Sequence, residues 1–169
     1  MEAPKHMERI SFLDGQILHD FHLNNMQRNI AESVKVNATK ERYDILMLVS
    51  PYNFYFAEPF VNTKYRHQSS TANLNTLTFS INQDQWITPV MELPESTNEM
   101  YLYAEYVDNP EDKSFVDFYY RTGEGNNWIK VDVDTPIYMP ATKYIQLRID
   151  CKYEGTTRPT IYDFAAMFK

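Results

Sequence analysis

The stretch Tyr144-Ile-Gln-Leu-Arg-Ile-Asp-Cys-Lys152 alternates apolar and polar side chains without a break. One side of the extended chain carries Ile145, Leu147, Ile149 and Cys151, and the other carries Gln146, Arg148, Asp150 and Lys152. A period of two is typical of a β-strand that buries one face against a core and exposes the other. This stretch therefore predicts a half-buried strand near the C-terminal part of the chain.

The same alternation recurs upstream and predicts a mainly β protein. The further predicted strands lie within Leu77–Ile81, Leu102–Tyr106, Val116–Tyr120 and Trp128–Val133, and an apolar stretch runs from Ile161 to Phe168. The glycines of Gly123–Asn127 predict a hairpin loop between two of these strands. Short strands separated by turns favour an antiparallel β-sandwich of the jelly-roll kind. The spacing leaves no room for the helical crossovers of a parallel sheet.

An amphipathic helix is predicted from about residue 20 to residue 40. Its apolar side chains recur at spacings of three and four: Leu23, Met26, Ile30, Ala31, Val34 and Ala38. Asp20 is suited to cap its N-terminus. Because only one face is apolar, the helix must bury that face on its own β domain or on another subunit. We expect the second arrangement, with Leu23, Met26, Ile30 and Val34 as the assembly interface and Gln27 as a polar position that sets register.

The domain organisation follows from these patterns. Ile45–Val49 is a short apolar run before Ser50-Pro51, which suits a buried strand. The sequence therefore predicts an arm and helix over residues 1–43 and a β-sandwich over residues 44–169. A polar loop rich in Ser, Thr and Asn is expected near residues 62–75.

The charge balance disfavours two classes of partner. The chain has 16 basic and 23 acidic residues, a formal net charge of −7, and no basic run. Nucleic-acid binding depends on neutralising phosphates, so no nucleic-acid partner is expected. The apolar runs are far shorter than the roughly 20 residues of a bilayer span, so no membrane span is expected.

The residues that usually carry chemistry do not form a recognisable site. Cys151 is the only cysteine and lies in the apolar phase of its strand, which predicts a buried, inert thiol. His19 and His22 have a helical spacing that suits a shared metal, but two ligands do not make a site. We therefore predict no catalytic residue, no metal, no cofactor and no enzymatic activity.

Aromatic side chains are abundant, with 13 Tyr, 10 Phe and 2 Trp. Strands and protein interfaces both favour aromatic residues, so a core or interface role is the first interpretation. Exposed aromatic rings also stack on sugars, and Trp86, Tyr119 and Trp128 are the residues predicted to form such a glycan platform.

Two short patterns resemble proteins of tailed bacteriophages. The first consists of Phe12, Asp14-Gly15, Leu18, Leu23-Asn24 and Gln27, and it resembles a pattern in tail-fibre, baseplate and related adsorption proteins. The second consists of Phe118-Tyr-Tyr-Arg121, Trp128, Tyr144–Ile149 and Pro159-Thr-Ile161, and it resembles small β-sandwich modules, including galactose-binding-like ones.

This resemblance implies a virion structural protein: a tail, baseplate or fibre-adaptor component made in the host cytoplasm and located in the virion. Its expected partners are copies of itself, as a homo-oligomer, and other virion structural proteins. The alternative is a carbohydrate-binding module that recognises a host-surface glycan. A hydrolase acting on such a glycan is a third interpretation.

Overall fold

The computed structural model describes the backbone from Asp20 to Lys169 and the side chains from Asn25 onward. One α-helix, α1 (Asp20–Val49), precedes seven strands. The strands are β1 (Phe54–Glu58), β2 (Asp84–Ile87), β3 (Met91–Val107), β4 (Phe115–Arg121), β5 (Ile129–Val131), β6 (Pro136–Lys152) and β7 (Thr160–Phe168). The prediction of a mainly β protein with a helix near its start is confirmed.

All strand pairs are antiparallel, and β6 holds the sheet together. The order is β1-β7-β3-β6-β4-β5, and β2 also pairs with β6. The first part of β6, up to Ile145, pairs with β3, and the rest pairs with β4 over residues 146–152. β2 pairs with β6 over residues 148–151. One strand therefore connects the part of the sheet that carries the helix with the part that carries the hairpin of β4 and β5.

The core contains the apolar side of β6 that the alternation predicts. Ile145, Leu147, Ile149 and Cys151 are buried together with Phe118 of β4 and Phe164 of β7. Burial of a large apolar side chain stabilises a fold by roughly 1.5–3 kcal/mol relative to its exposure. The period of two in this stretch thus reports the inner face of the sheet.

Two predicted strands are wrong. The run Ile45–Val49 is the last part of α1, and Leu77–Ile81 lies in a turn closed by a bridge between Asn75 and Ser80. Asn75 stabilises the turn because its side-chain oxygen accepts from the backbone N–H of Leu77 at 3.0 Å. Such a side-chain acceptor is the usual reason for asparagine at a turn.

The C-terminal half of α1 lies on the outer surface of β1, β7 and β3. Tyr43 is fully buried there, and its ring meets the edge of Tyr103 at 5.9 Å between centroids. Ala57 and Ala165 face each other across β1 and β7 beneath the helix. Their small side chains leave room for a helix to approach the sheet closely. Leu46 and Met47 complete the apolar contact.

A buried carboxylate fixes the helix on the sheet. Asp163 of β7 is completely buried, and its Oδ1 accepts from Tyr43 Oη at 2.7 Å and from Arg42 Nη1 at 3.0 Å. Its Oδ2 accepts from Lys35 Nζ at 3.0 Å and from Thr39 Oγ1 at 3.5 Å. All four donors come from one side of α1. A buried charge is tolerated only when it is paired and hydrogen-bonded in this way.

The charges around Asp163 extend to the neighbouring strand. Glu105 of β3 is the register partner of Asp163, and its Oε2 lies 2.8 Å from Arg42 Nη1. Burial acts to lower the pKa of Arg42, but the carboxylates of Asp163 and Glu105 outweigh it and raise that pKa. Burial and then Asp163 raise the pKa of Tyr43 well above its ordinary value. Tyr43 therefore stays a hydrogen-bond donor at physiological pH.

Asp163→Asn should destabilise the protein by about 3 kcal/mol or more, because it leaves the ammonium of Lys35 and the guanidinium of Arg42 without their buried anion. Urea denaturation measures this loss. Glu105→Gln is the control: this half-exposed residue forms the other ion pair of Arg42, so we expect a loss of about 1 kcal/mol or less. Equal effects of the two substitutions would contradict the role given to Asp163.

Candidate functional site

The helix leaves a row of large apolar side chains exposed. We call Met26, Ile30, Val34, Ile45 and Leu48 the helix stripe. Their exposed fractions are 41%, 56%, 62%, 63% and 85%. Spacings of three, four and eleven residues keep side chains on one face of an α-helix, so these five share one face, on which the exposed Asn37 and Glu41 separate Val34 from Ile45. Exposed apolar side chains clustered on one face make this surface a candidate interaction site.

The helix stripe lies on the side of α1 that faces away from the sheet. Side chains two positions apart point about 200° apart around a helix, as Tyr43 and Ile45 do. Tyr43 is fully buried on the sheet, and Ile45 is exposed. The docked side instead carries Thr39 and Tyr43, two buried residues whose hydroxyl groups reach Asp163. The face that α1 buries on its own sheet thus combines the hydrogen-bonding groups of Thr39 and Tyr43 with the apolar side chains of Leu46 and Met47.

Four of the five predicted assembly residues have side chains that the structure describes, and all four are exposed. Met26, Ile30 and Val34 belong to the helix stripe, and Gln27 is exposed beside it. The backbone of Leu23 is helical, but its side chain lies outside the part of the chain that the structure describes. The alternative in which this apolar face packs on the chain's own sheet is wrong, because the opposite face occupies that position. Assembly through the helix stripe stays a prediction.

A second surface lies on the outer side of β4, β5 and β6. We call it the cationic face; it consists of Tyr119, Arg121, Trp128, Lys130, Arg148 and Lys152, with the carboxylates of Asp117 and Asp150. Apart from Trp128, which directly precedes β5, these are outward positions of strands whose apolar positions contribute to the core. Four cations against two carboxylates make this face locally basic in a chain with a net charge of −7.

Arginine side chains cover the aromatic rings of the cationic face. The Arg148 guanidinium lies 4.0 Å from the ring centroid of Tyr119 and 5.1 Å from that of Trp128. The Arg121 guanidinium lies 4.4 Å from the Trp128 centroid. These distances are typical of cation–π contacts. The rings are therefore engaged by cations and do not present two free faces to a sugar.

The predicted glycan platform is wrong for one of its three residues. Trp86 is fully buried in the core, where its ring packs edge-on against Phe60 at 5.3 Å. β2 pairs Trp86 with Ile149, which places its side chain on the inner face of the sheet. Tyr119 and Trp128 are half-buried on the cationic face, as described above.

Hydrogen bonds hold the cationic face in place. Asp117 accepts from both Lys130 and Lys152, at 2.6 and 2.8 Å. Burial alone would raise the pKa of Asp117, but these hydrogen bonds outweigh it and lower that pKa. Gln146 is buried, accepts from Arg121 Nε at 2.7 Å and donates to the carbonyl of Thr88. The face is a pre-formed polar network.

Arg121 is the cation of this face that lacks an acidic partner. Lys130 and Lys152 share Asp117, and Arg148 pairs with Asp150 at 2.9 Å. No carboxylate of the described residues lies within ion-pair distance of Arg121. Its guanidinium, held by Gln146 and Trp128, is the group best placed to receive an external anion.

The remaining chemical predictions have different outcomes. Cys151 is buried as predicted, and burial raises the pKa of its thiol to about 12. Within residues 25–169 no three His, Cys, Asp or Glu side chains converge to hold a metal. The side chains of His19 and His22, with the N-terminal residues of the phage-like pattern, lie outside the described residues. No helix in the described part of the chain is long and apolar enough to cross a membrane.

Sequence reasoning missed Asp163 and Arg148. The available signal for Asp163 was a single carboxylate inside the apolar stretch Ile161–Phe168, because a charge in a buried strand requires a partner. The signal for Arg148 was its place on the polar side of β6, level with Tyr119 on the adjacent strand. Side chains directly opposite each other on antiparallel strands are close enough to interact.

Comparison with known proteins gives no match. No family model fits the chain, and no curated protein and no solved structure is significantly similar to it. The function must therefore be argued from the geometry of the helix stripe and the cationic face.

Glu58 of β1 is a buried acid that forms no hydrogen bond with a cationic side chain among the described residues. Its Oε1 accepts from the backbone N–H of Phe60 at 2.8 Å, and its buried Oε2 has no hydrogen-bond partner. It lines a cavity of about 210 Å³ with Val36 of the helix and Lys64. Burial raises the pKa of Glu58 to about 8. The side chain is therefore largely protonated in the folded protein at neutral pH.

Glu58 should make the protein less stable as pH rises. Its folded-state pKa of about 8 exceeds the ordinary 4.5, so only the unfolded chain loses this proton between those values. Stability should fall by up to about 1.4 kcal/mol per pH unit across this window and stay constant below it. Glu58→Gln should therefore stabilise the protein at pH 8 and change little at pH 4.5, as measured by urea denaturation. Glu95→Gln, at an exposed position, is the control, and a gain that does not depend on pH would contradict the prediction.

Proposed function

We propose that this protein is a structural subunit that acts by assembly through the helix stripe. The carrying observation is the orientation of α1: hydrogen bonds to Asp163 fix one side of the helix to the sheet, and the opposite side exposes the helix stripe, which spans about 33 Å between Met26 and Leu48. Burial on a second copy of the chain would remove this apolar surface from water. Most soluble oligomers are symmetric assemblies of identical chains. We therefore propose a second copy of this chain as the partner.

The setting we propose is a phage virion, as a tail, baseplate or fibre-adaptor component. The support is the resemblance of the run from Phe12 to Gln27 to tail-fibre and baseplate proteins, together with a helix placed ahead of a β-rich domain. In this setting the helix forms contacts between subunits, and the sheet faces other virion proteins or the outside. The role is structural, without catalysis.

For the β-rich domain we infer a two-layer sandwich as the finer architecture. Both parts of the sheet send side chains to one core: Leu102 and Phe164 come from the part that carries the helix, and Phe118 and Leu147 come from the part around the hairpin. The rings of Tyr106 and Phe118 also meet across these parts, at 5.5 Å between centroids. A sheet that folds over itself along β6 accounts for both observations.

A second candidate function is binding of a host glycan at the cationic face. The observation in its favour is Arg121, a guanidinium without an acidic partner beside the half-buried ring of Trp128. Because arginines cover the ring faces, such a site would favour an acidic sugar, whose carboxylate pairs with Arg121, over stacking of a neutral sugar. Glycan binding would use the cationic face, and assembly would use the helix stripe.

Assembly predicts a concentration-dependent mass. In light scattering after gel filtration, the measured mass should rise with protein concentration towards at least twice the mass of one chain. Ile30→Glu should keep the protein monomeric, because it places a charge in the apolar contact. Ile129→Glu is the matched control, because Ile129 is also exposed but lies on β5 at the far edge of the sheet. A wild-type monomer at every concentration, or equal effects of both variants, would contradict the proposal.

Glycan binding predicts a preference for acidic saccharides on an array. Arg121→Ala should weaken that binding at least tenfold, and Trp128→Ala should weaken it as well. Tyr138→Ala removes an exposed aromatic side chain elsewhere on the sheet and should leave binding unchanged. An array without hits, or binding that Arg121→Ala does not affect, would remove this candidate.

A further inference from the structure

We infer that Gln146 is the positioning residue of a carboxylate-binding site at Arg121, and that the ligand of this site is a carboxylated sugar such as a uronic acid. This inference rests on the second candidate function, glycan binding at the cationic face, and does not depend on assembly through the helix stripe. It explains how the fold holds one guanidinium of that face in a fixed orientation while leaving its charge available.

Buried backbone groups fix the amide of Gln146. Gln146 lies directly opposite Arg121 in the register of β4 and β6, and it is fully buried. Its Oε1 accepts from Arg121 Nε at 2.7 Å, and its Nε2 donates to the carbonyl oxygen of Thr88 at 2.7 Å. Thr88 is also buried; its backbone N–H donates to the carbonyl of Leu147 at 3.0 Å, and its Oγ1 accepts from the N–H of Leu147 at 3.0 Å. The side chain of Gln146 therefore cannot turn without breaking a buried hydrogen bond.

The two partners of Gln146 require an amide at this position. A guanidinium only donates hydrogen bonds, and a backbone carbonyl only accepts them. Glutamine supplies one acceptor and one donor, so it satisfies both partners and carries no charge. A glutamate would also accept from Arg121, but it would neutralise that guanidinium and place an oxygen against the carbonyl of Thr88. Gln146 therefore orients Arg121 and leaves its positive charge uncompensated.

The outer edge of the Arg121 guanidinium is free to bind. Gln146 engages its Nε, and within the described residues neither of its terminal nitrogens, Nη1 and Nη2, has a hydrogen-bond partner. Neither nitrogen is buried, because the buried polar atoms without a partner belong to other residues. Two neighbouring N–H donors of a guanidinium match the two oxygens of a carboxylate. With the Trp128 ring centroid 4.4 Å from the guanidinium carbon, a sugar carboxylate would pair with Arg121 at this edge.

A nuclear magnetic resonance titration of the chain with glucuronate tests this site, and glucose is the matched neutral sugar. Glucuronate should shift the signals of the Trp128 indole N–H and the Arg121 Nε–H, and glucose should not. Gln146→Glu should weaken glucuronate binding by about tenfold or more, because its carboxylate takes the place of the ligand as the anion of Arg121. Gln27→Glu adds the same charge at an exposed position of α1 and should leave the affinity unchanged.

Two further variants separate orientation from charge. Gln146→Met removes both hydrogen bonds and adds no charge, so it should move the Arg121 Nε–H signal of the ligand-free protein and weaken binding less than Gln146→Glu does. Arg121→Lys, at a partly exposed position, keeps the charge but loses the paired donors, so it should also weaken binding.

The outcomes distinguish the positioning role from glycan binding itself. Core amide signals report whether each variant is folded, and Gln146→Met or Arg121→Lys decides if Gln146→Glu is not. Unchanged glucuronate affinity in the folded variants would overturn the role of Gln146 and leave glycan binding standing. No shift of the Trp128 and Arg121 signals by glucuronate in the unaltered chain would overturn both.

Discussion

One buried carboxylate determines how this molecule is built. Asp163 receives four hydrogen bonds from a single side of α1, and two of their donors are cations. A charge buried without partners costs several kcal/mol, so the sheet is stable only when this side of the helix lies on it. The donors occupy positions from Lys35 to Tyr43, slightly more than two turns. That geometry leaves the helix no freedom to rotate about its own axis.

This constraint leaves large apolar side chains of the helix exposed. A surface helix normally buries its apolar stripe and exposes its polar side. Here Tyr43 and Thr39 face the sheet, while Ile30, Val34 and Ile45 face outward. The pairing of Ala57 with Ala165 allows the close approach that the hydrogen bonds require. The exposed stripe therefore follows from what holds the helix, and under the proposed function a second copy of the chain would cover it.

The sequence predicts the parts of this structure whose pattern has one physical interpretation. The alternation from Ile145 to Cys151 identifies an inner face of the sheet, and the spacing of Met26, Ile30 and Val34 identifies a helix. The run Ile45–Val49 is ambiguous, because five apolar residues fit the end of a helix as well as a buried strand. Leu46 and Met47 contact the sheet whereas Leu48 is exposed, a division that only tertiary structure reveals.

The candidate sites show the same limit. The pattern identifies the residues of the helix stripe, but the side of the helix that meets the sheet depends on Asp163, more than a hundred residues away in sequence. Trp86 and Trp128 are equally aromatic in sequence, yet strand register places one in the core and the other beside Arg121. Contacts between distant residues decide both outcomes, and no local pattern contains them.

The most direct test of the central claim is amide hydrogen exchange of α1 at low and high protein concentration. If the apolar side of the helix is an interface, helix peptides that include Met26–Val34 should exchange more slowly at high concentration, because pairing suppresses local opening. Peptides from the β4–β5 hairpin should not change. Equal exchange of the helix peptides at both concentrations, with the protein at its monomer mass, would contradict the account.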